Sequence, residues 1–204
     1  MELKSSSIKN CDLNMRTKAI IIKKQPAKEF DELITCYTRD FGKLTAVAKS
    51  ILKDSSLQAM HLDNLNLVDF ELINGLSVPI IAAAQSENSF RKIKSDLLKS
   101  VMAQFFMDVA DKLFFDLQKD EPLWKFMVDV LKRLDDWTEH ETILTFFRRQ
   151  QVCLLGVLGY APQAVSIAGF SGSDLIGRSE IDYTFEYVSG TRLRSLDLMY
   201  SVLK

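Results

Sequence analysis

The sequence predicts an α+β chain in which a β barrel and an all-α region follow one another: five strands, then an antiparallel helical bundle, then a short irregular C-terminal tail. Three observations carry this reading. Between Lys18 and Ala84 apolar and polar residues alternate in five short runs broken by turn residues. At Phe90 the apolar spacing lengthens to three and four, the repeat of an amphipathic helix. Beyond Pro162 the run GFSGSDLIGRS is dense in turn formers.

Taken in order, residues 1–14, MELKSSSIKNCDLN, are polar, serine-rich and without period, which predicts a flexible N-terminal extension. Lys18 to Lys23, Leu33 to Thr38 and Leu44 to Ala48 form three strands, separated by Gln25-Pro26 and by Asp40-Phe41-Gly42. Such an antiparallel meander is open to curling into a barrel. Ser50 to Met60 reads as a loop or short helix. A second pair, Leu65 to Ile73 and Leu76 to Ala84, is joined by Asn74-Gly75, the strongest short signal for a two-residue hairpin. Pro79 offers no N–H to a ladder and must lie at an edge or a bulge. Phe90, Ile93, Leu97, Val101, Phe105, Val109, Leu113 and Leu117 mark one long helix with Lys92, Lys99 and Asp111 on its other face. Asp120-Glu121-Pro122 ends it and opens a second, since proline is tolerated in a first helical turn. Thr138-Glu139-His140-Glu141 reads as a capping box for a third helix, through Ile143 to Leu158, ending at Gly159 and Pro162. Ile181 to Val188 alternates like a strand, and Arg192 to Leu203 reads as a last amphipathic helix. The expected divisions are an extension, 1–14; a barrel domain, 15–88; a helical domain, 89–162, packed directly on the barrel; and a tail, 163–204, packing on the other domains.

With 204 residues, 47% of them hydrophobic, the chain can bury one or two genuine cores. A formal net charge of −1 excludes a chain that is basic throughout, so contact with a polyanion must come from a local patch. No apolar run approaches the ~20 residues of a membrane span, and residues 1–14 lack the apolar centre of a signal peptide, which predicts a cytoplasmic protein with no membrane partner. Cys11, Cys36 and Cys153 are scattered, without Cys-x-x-Cys spacing or a nearby histidine, so neither a disulfide framework nor a metal site is expected. Catalytic patterns are missing as well. His61 and His140 stand apart from any ligand spacing, and Ser171-Gly172-Ser173 lacks both the Gly-Lys-Ser/Thr of a phosphate loop and the Gly-x-Ser-x-Gly of a hydrolase elbow. The expectation is a protein without catalytic residues or cofactors.

The local basic balance lies at the start: Arg16, Lys18, Lys23, Lys24, Lys28, Arg39, Lys43, Lys49 and Lys53, opposed mainly by Glu29, Asp31, Glu32 and Asp40. In this same stretch the order of an apolar first strand (Ala19 to Ile22), an acidic entry to the second (Glu29 to Asp31), a Thr-x-x-x-Gly turn (Thr38 to Gly42) and a Val-Ala-Lys exit (Val47 to Lys49) resembles the amino-terminal OB domain of the RecO recombination and repair family. Downstream, Phe147-Arg148-Arg149 leading into Leu154-Leu155-Gly156-Val157-Leu158-Gly159-Tyr160 is similar to that family's helix ending in Leu-Gly-Tyr. The resemblance spans Met15 to about Pro162, and five strands with a connection after the third is the count of an OB-fold.

That resemblance implies a nucleoid-associated recombination mediator that binds single- and double-stranded DNA, anneals strands, and loads a recombinase together with the single-strand DNA-binding protein and RecR. It implies DNA-binding residues Arg39, Lys43, Lys49 and Lys53 for phosphates, with Tyr37 and Phe41 either stacking bases or filling the barrel. It further implies Arg148, with Arg149 and a pocket wall at Leu155, as the holder of the acidic C-terminal tail of the single-strand DNA-binding protein, since a guanidinium donates two parallel hydrogen bonds to a carboxylate. A solvated basic pair and ordinary core packing are the plainer readings of those residues. The chain departs from the family in lacking the zinc-binding cysteine cluster after the Gly-Tyr helix, and in carrying Ser50, Ile51, Leu52 and Lys53 where relatives have a glycine and arginines. The competing expectation is a non-catalytic interaction adaptor of the same architecture that has lost DNA binding.

Overall fold

The computed structural model describes residues 15–137, 142–160 and 179–203. The chain divides into two compact units between Ser89 and Phe90. The first is a closed barrel of β1 (Met15–Pro26), β2 (Glu32–Thr38), β3 (Gly42–Ala48), β4 (Leu67–Ile73) and β5 (Ile80–Asn88), in the order β1-β2-β3-β5-β4. β1 serves two partners: Met15 to Ile20 pair with β4, and Ala19 to Pro26 pair with β2. A register shift between Ile21 and Lys23 lets it bend between the two. Closure comes from β3 and β5, the single parallel pair of the barrel, through Val47 opposite Ile80 and a 2.8 Å bond from the Val47 N–H to the Pro79 carbonyl.

Period-two patterning explains the interior. Leu44, Ala46 and Ala48 of β3 point inward with Ala19, Ile21, Ile34, Cys36, Phe70 and Leu72, while Lys43, Thr45 and Val47 face outward. Small residues beside large ones fit the narrow lumen. The β2–β3 turn follows from two residues: the Thr38 hydroxyl donates to the Gly42 carbonyl (2.8 Å) and accepts from the Phe41 N–H (3.0 Å). Gly42 sits at φ 72, a conformation that glycine adopts without steric cost.

The β4–β5 hairpin corrects the sequence reading. Asn74-Gly75 is not a two-residue turn; the last ladder pair is Ile73 opposite Ile80, leaving residues 74–79 as the connection. Pro79 cannot donate to β4, and its carbonyl is committed to β3, so β5 starts only after it.

The second unit holds α1 (Arg91–Ser95), α2 (Leu97–Leu113), α3 (Glu121–Asp135), α4 (Ile143–Val157), α5 (Glu180–Ser189) and α6 (Arg194–Val202). The long first helix of the sequence reading is two. Asp96 is extended and its carboxylate accepts the Lys99 N–H (3.0 Å), so it caps α2 instead of continuing α1, and α2 stops at Leu113, before Leu117. α3 begins as expected, with the Asp120 carboxylate accepting from the Leu123 N–H (2.9 Å). α4 is capped by Thr142, whose hydroxyl accepts the Thr145 N–H (3.2 Å); the capping box read at 138–141 lies outside the described residues. The alternating Ile181 to Val188 is helix, not strand. Ile181 and Phe185 are buried while Tyr183 and Tyr187 stand exposed, so only every second apolar residue faces inward and the effective repeat is four.

α2 is the axis of this unit, with α3, α5 and α6 against it. Phe105 meets Phe106, Phe147 and Phe185 edge to face at 5.3, 5.2 and 5.0 Å. Such pairs contribute about 0.5–1.5 kcal/mol each beyond the burial of their area.

Candidate nucleic-acid interface

Register decides which loops meet. Ala48, at the end of β3, lies opposite Glu32, where β2 begins, and its neighbour Val47 lies opposite Ile80, where β5 begins. Residues 27–31, 49–53 and 74–79 therefore gather around one end of the barrel. Local bonds hold that end in place: Asp31 Oδ1 accepts the Ser50 N–H (2.7 Å), the Ala27 N–H donates to the Asp31 carbonyl (2.9 Å), and the Leu52 N–H donates to the Phe30 carbonyl (3.1 Å). Lys28 and Lys49 are exposed. The Lys53 ammonium stands 5.5 Å from the centroid of the Phe30 ring, a residue 41% exposed.

Other cations of the basic run are already neutralised. Arg16 makes a bidentate pair with Asp69 (2.8 and 3.0 Å), and that hydrogen bonding holds the Asp69 carboxyl below its ordinary range against a small burial cost. Lys18 pairs with Glu87 (2.7 Å) and Lys24 with Asp63 (3.6 Å). Among the described residues no carboxylate pairs with Lys28, Arg39, Lys49 or Lys53. Glu29, Asp31 and Asp54 share their loops, so this end is mixed in charge.

Of the residues expected to contact DNA, Lys49 and Lys53 belong to this end. Arg39 is exposed in the β2–β3 turn with Lys43 next to it at the start of β3. Lys43 and Lys49 have the same parity along the strand, but six residues of rise put them about 20 Å apart. The structure makes two small cationic groups of the four, not one. Tyr37 is only 1% exposed, so its ring offers no face to a base, and Phe41 packs on the barrel core. For both, filling the fold is the outcome.

Arg148, expected to hold a partner's carboxylate, is 1% exposed and holds this chain's own Asp182, with Nη1 2.7 Å from Oδ1. Nη1 also donates to Gln151 Oε1 (2.8 Å), Gln151 Nε2 donates to Asp182 Oδ1 (3.0 Å), and Nη2 donates to the Tyr200 hydroxyl. The Tyr200 hydroxyl donates in turn to Asp182 Oδ2, which also accepts the Ser179 N–H (3.0 Å). Burial alone raises a carboxylate pKa, yet the hydrogen bond and charge of Arg148, with the Tyr200 and Ser179 donors, bring Asp182 below its ordinary range. For Tyr200, burial and then the Asp182 hydrogen bond push the phenol upward. Leu155 is fully buried and Arg149 half-buried on the same helix.

Sequence reasoning named Lys28 only within the basic run, not as a DNA contact, and passed over Phe30, Asp182 and Tyr200. Ser179-x-x-Asp182 was readable as a capping pattern. Nothing in the sequence marks Phe30 as exposed beyond its place in a charged turn. Among the described residues no group of three or more His, Cys, Asp or Glu is placed to hold a metal ion, and no helix is long and apolar enough to cross a membrane.

Residues 13–90 match the family model for the recombination protein O N terminal region, and residues 94–169 match that for its C terminal region. A DNA repair protein RecO of Dehalococcoides mccartyi strain BAV1 is 29% identical over 150 residues, covering 74% of this chain and 58% of that protein. One from Thermoanaerobacter sp. strain X514 is 27% identical over 149 residues, covering 73% and 59%. One from Cutibacterium acnes is 25% identical over 157 residues, covering 74% and 63%. The match thus spans less than two thirds of each relative's length.

Proposed function

The chain belongs to the recombination protein O family, and on that premise we propose that it serves DNA repair and recombination as a non-catalytic mediator whose barrel binds DNA. The observation that carries the DNA-binding part is the end of β3, where Lys28, Lys49 and Lys53 are exposed and have no carboxylate partner among the described residues, on loops held by Asp31 and Phe30. Ammonium groups there replace counterions along a phosphate backbone, so binding should weaken steeply with salt. The proposal extends to pairing of neutralised strands and to recombinase loading together with the single-strand DNA-binding protein and RecR, and for these its support is the family resemblance alone.

The experiment is a titration of a labelled oligonucleotide with wild type and a Lys49→Glu/Lys53→Glu variant at two salt concentrations. The expected result is a loss of at least about tenfold at low salt, with the difference shrinking at high salt. Equal affinities at both salts would falsify the barrel-end site. Docking of an acidic tail on the helical unit is a weaker part of the proposal, because Arg148 already holds Asp182. A peptide that reaches Arg148 must displace that carboxylate, so Asp182→Asn should bind an acidic peptide more tightly than wild type.

A second reading, an interaction adaptor without DNA affinity, is favoured by one observation: Glu29, Asp31 and Asp54 balance the three lysines of the same loops. The wild-type titration separates the two readings, since the adaptor shows no salt-sensitive binding.

A further inference from the structure

We infer that Phe30 is a base-stacking platform that makes this barrel end a reader of unpaired nucleic-acid strands in preference to duplex. The inference rests on the reading of the barrel as DNA-binding and goes beyond it by naming the strand form and the residue that selects it.

Phe30 is 41% exposed within a charged loop, and it is absent from the set of side chains that fill the barrel core. Its backbone is anchored. The Phe30 carbonyl accepts from the Leu52 N–H, and the next residue, Asp31, accepts from the Ser50 N–H, so the ring rides on two stitched loops. An aromatic platform on an anchored backbone loses little freedom when a base lands on it.

Its surroundings suit a nucleotide. Lys28 and Lys49 are exposed on the same loops, and the Lys53 ammonium of this chain occupies the ring face, 5.5 Å from its centroid. An exposed ammonium over a ring is held more weakly than a stacked base. Lys53 is exposed, so it yields the face and moves to the flanking phosphate. Leu52, 47% exposed and bonded through its backbone to Phe30, adds apolar surface next to the ring.

Charge balance supplies the discrimination. Duplex binding rests on phosphate neutralisation, and here three lysines are offset by Glu29, Asp31 and Asp54. Stacking must then contribute a large share of the affinity, and a duplex keeps its base faces covered. Single strands present them freely.

The test compares wild type, Phe30→Ala, Phe30→Trp and Lys49→Glu/Lys53→Glu for binding to a labelled oligothymidine and to a hairpin duplex, with thermal melting of each variant as a control. Phe30→Ala should weaken oligothymidine binding about tenfold while moving duplex affinity by less than about twofold. Phe30→Trp should retain binding, and its indole fluorescence should be quenched by oligothymidine but not by the hairpin. If Phe30→Ala leaves oligothymidine affinity unchanged while the lysine variant loses it, the stacking inference is wrong and the barrel-end reading survives. If neither variant changes affinity, the barrel-end reading is wrong and the inference goes with it. Equal losses for both nucleic acids in Phe30→Ala also overturn the inference, because the ring then only shapes the loop.

Discussion

Lys49 and Arg148 carry the same charge and meet opposite fates. Lys49, at the end of β3, stands in solvent with no carboxylate partner among the described residues. Arg148, on α4, is sealed inside the helical unit against Asp182, Gln151 and Tyr200. A cation in water keeps its hydration and is free to exchange it for a phosphate. One out of water must be compensated by its own fold, and is then unavailable to others. The barrel thus fills its lumen with apolar side chains and leaves its lysines outside, whereas the helical unit buries an ion pair, and the two halves should respond to mutation in different ways.

The largest expected effect comes from removing one member of the buried pair. Arg148→Ala leaves Asp182 uncompensated and should cost about 3–5 kcal/mol in urea denaturation. A Arg148→Met/Asp182→Leu variant should recover most of it, because both charges leave together. An unchanged midpoint for the single variant would erase the distinction drawn between the two cations.

Acid sharpens the comparison next. The folded-state pKa of Asp182 lies below the unfolded value of about 3.9, so its contribution is complete above roughly pH 5 and is lost as pH falls through that range to the folded pKa. Wild type should therefore lose stability faster than Asp182→Asn on acidification. Parallel acid profiles would show that the carboxylate is not held by Arg148 in solution.

At the alkaline side the sign reverses. Tyr200 has its folded pKa raised above the usual phenol value of about 10, so its contribution is present below that pH and is lost as pH rises through the folded pKa. Tyr200→Phe should cost about 1 kcal/mol at neutral pH and flatten the alkaline limb of the melting profile. A steep limb retained in the phenylalanine variant assigns the alkaline loss to another group.

A smaller effect is expected where α2 caps α6. Asp108 Oδ2 accepts the Ser195 N–H at 3.3 Å, and Asp108→Ala should cost about 1 kcal/mol, read as a lowered melting temperature. The smallest belongs to the barrel. Lys49→Glu/Lys53→Glu should move unfolding free energy by no more than about 0.5 kcal/mol per site while changing DNA affinity, since both side chains are exposed. A large loss of stability there would make those lysines structural, like Arg148.

Much of the scaffold was legible. The alternation in β1 to β3 placed those strands to within a few residues, and Thr38 and Gly42 announced their turn. Asp120 with Pro122 did the same for α3. What misled was local chemistry with two uses. Asn-Gly favours a tight hairpin, but closing the barrel drew Pro79 toward β3 and lengthened the connection. Asp96 sits within a helical repeat and was passed over as interior, although its short carboxylate satisfies an amide of the next helix. In Ile181 to Val188 every other residue is apolar, which suits a strand equally well until burial shows that Tyr183 and Tyr187 face water. Of the site, the lysines were legible as charges and Phe30 was not singled out at all.

The succession of five strands and then helices, the change of period at Phe90 and the start of α3 at Asp120 were decided by the sequence alone, because propensity, capping and turn chemistry act between residues a few positions apart. The tertiary structure alone decided which cations stay in water and which are held by a carboxylate of the same chain. Pairing Val47 with Ile80 and Ala48 with Glu32 collects three loops around Lys49, and packing α5 and α6 on α2 brings Asp182 and Tyr200 to Arg148 across 34 and 52 residues. The free energy of a charge is set by the water and partners around it in space, and neither is written in the order of the residues.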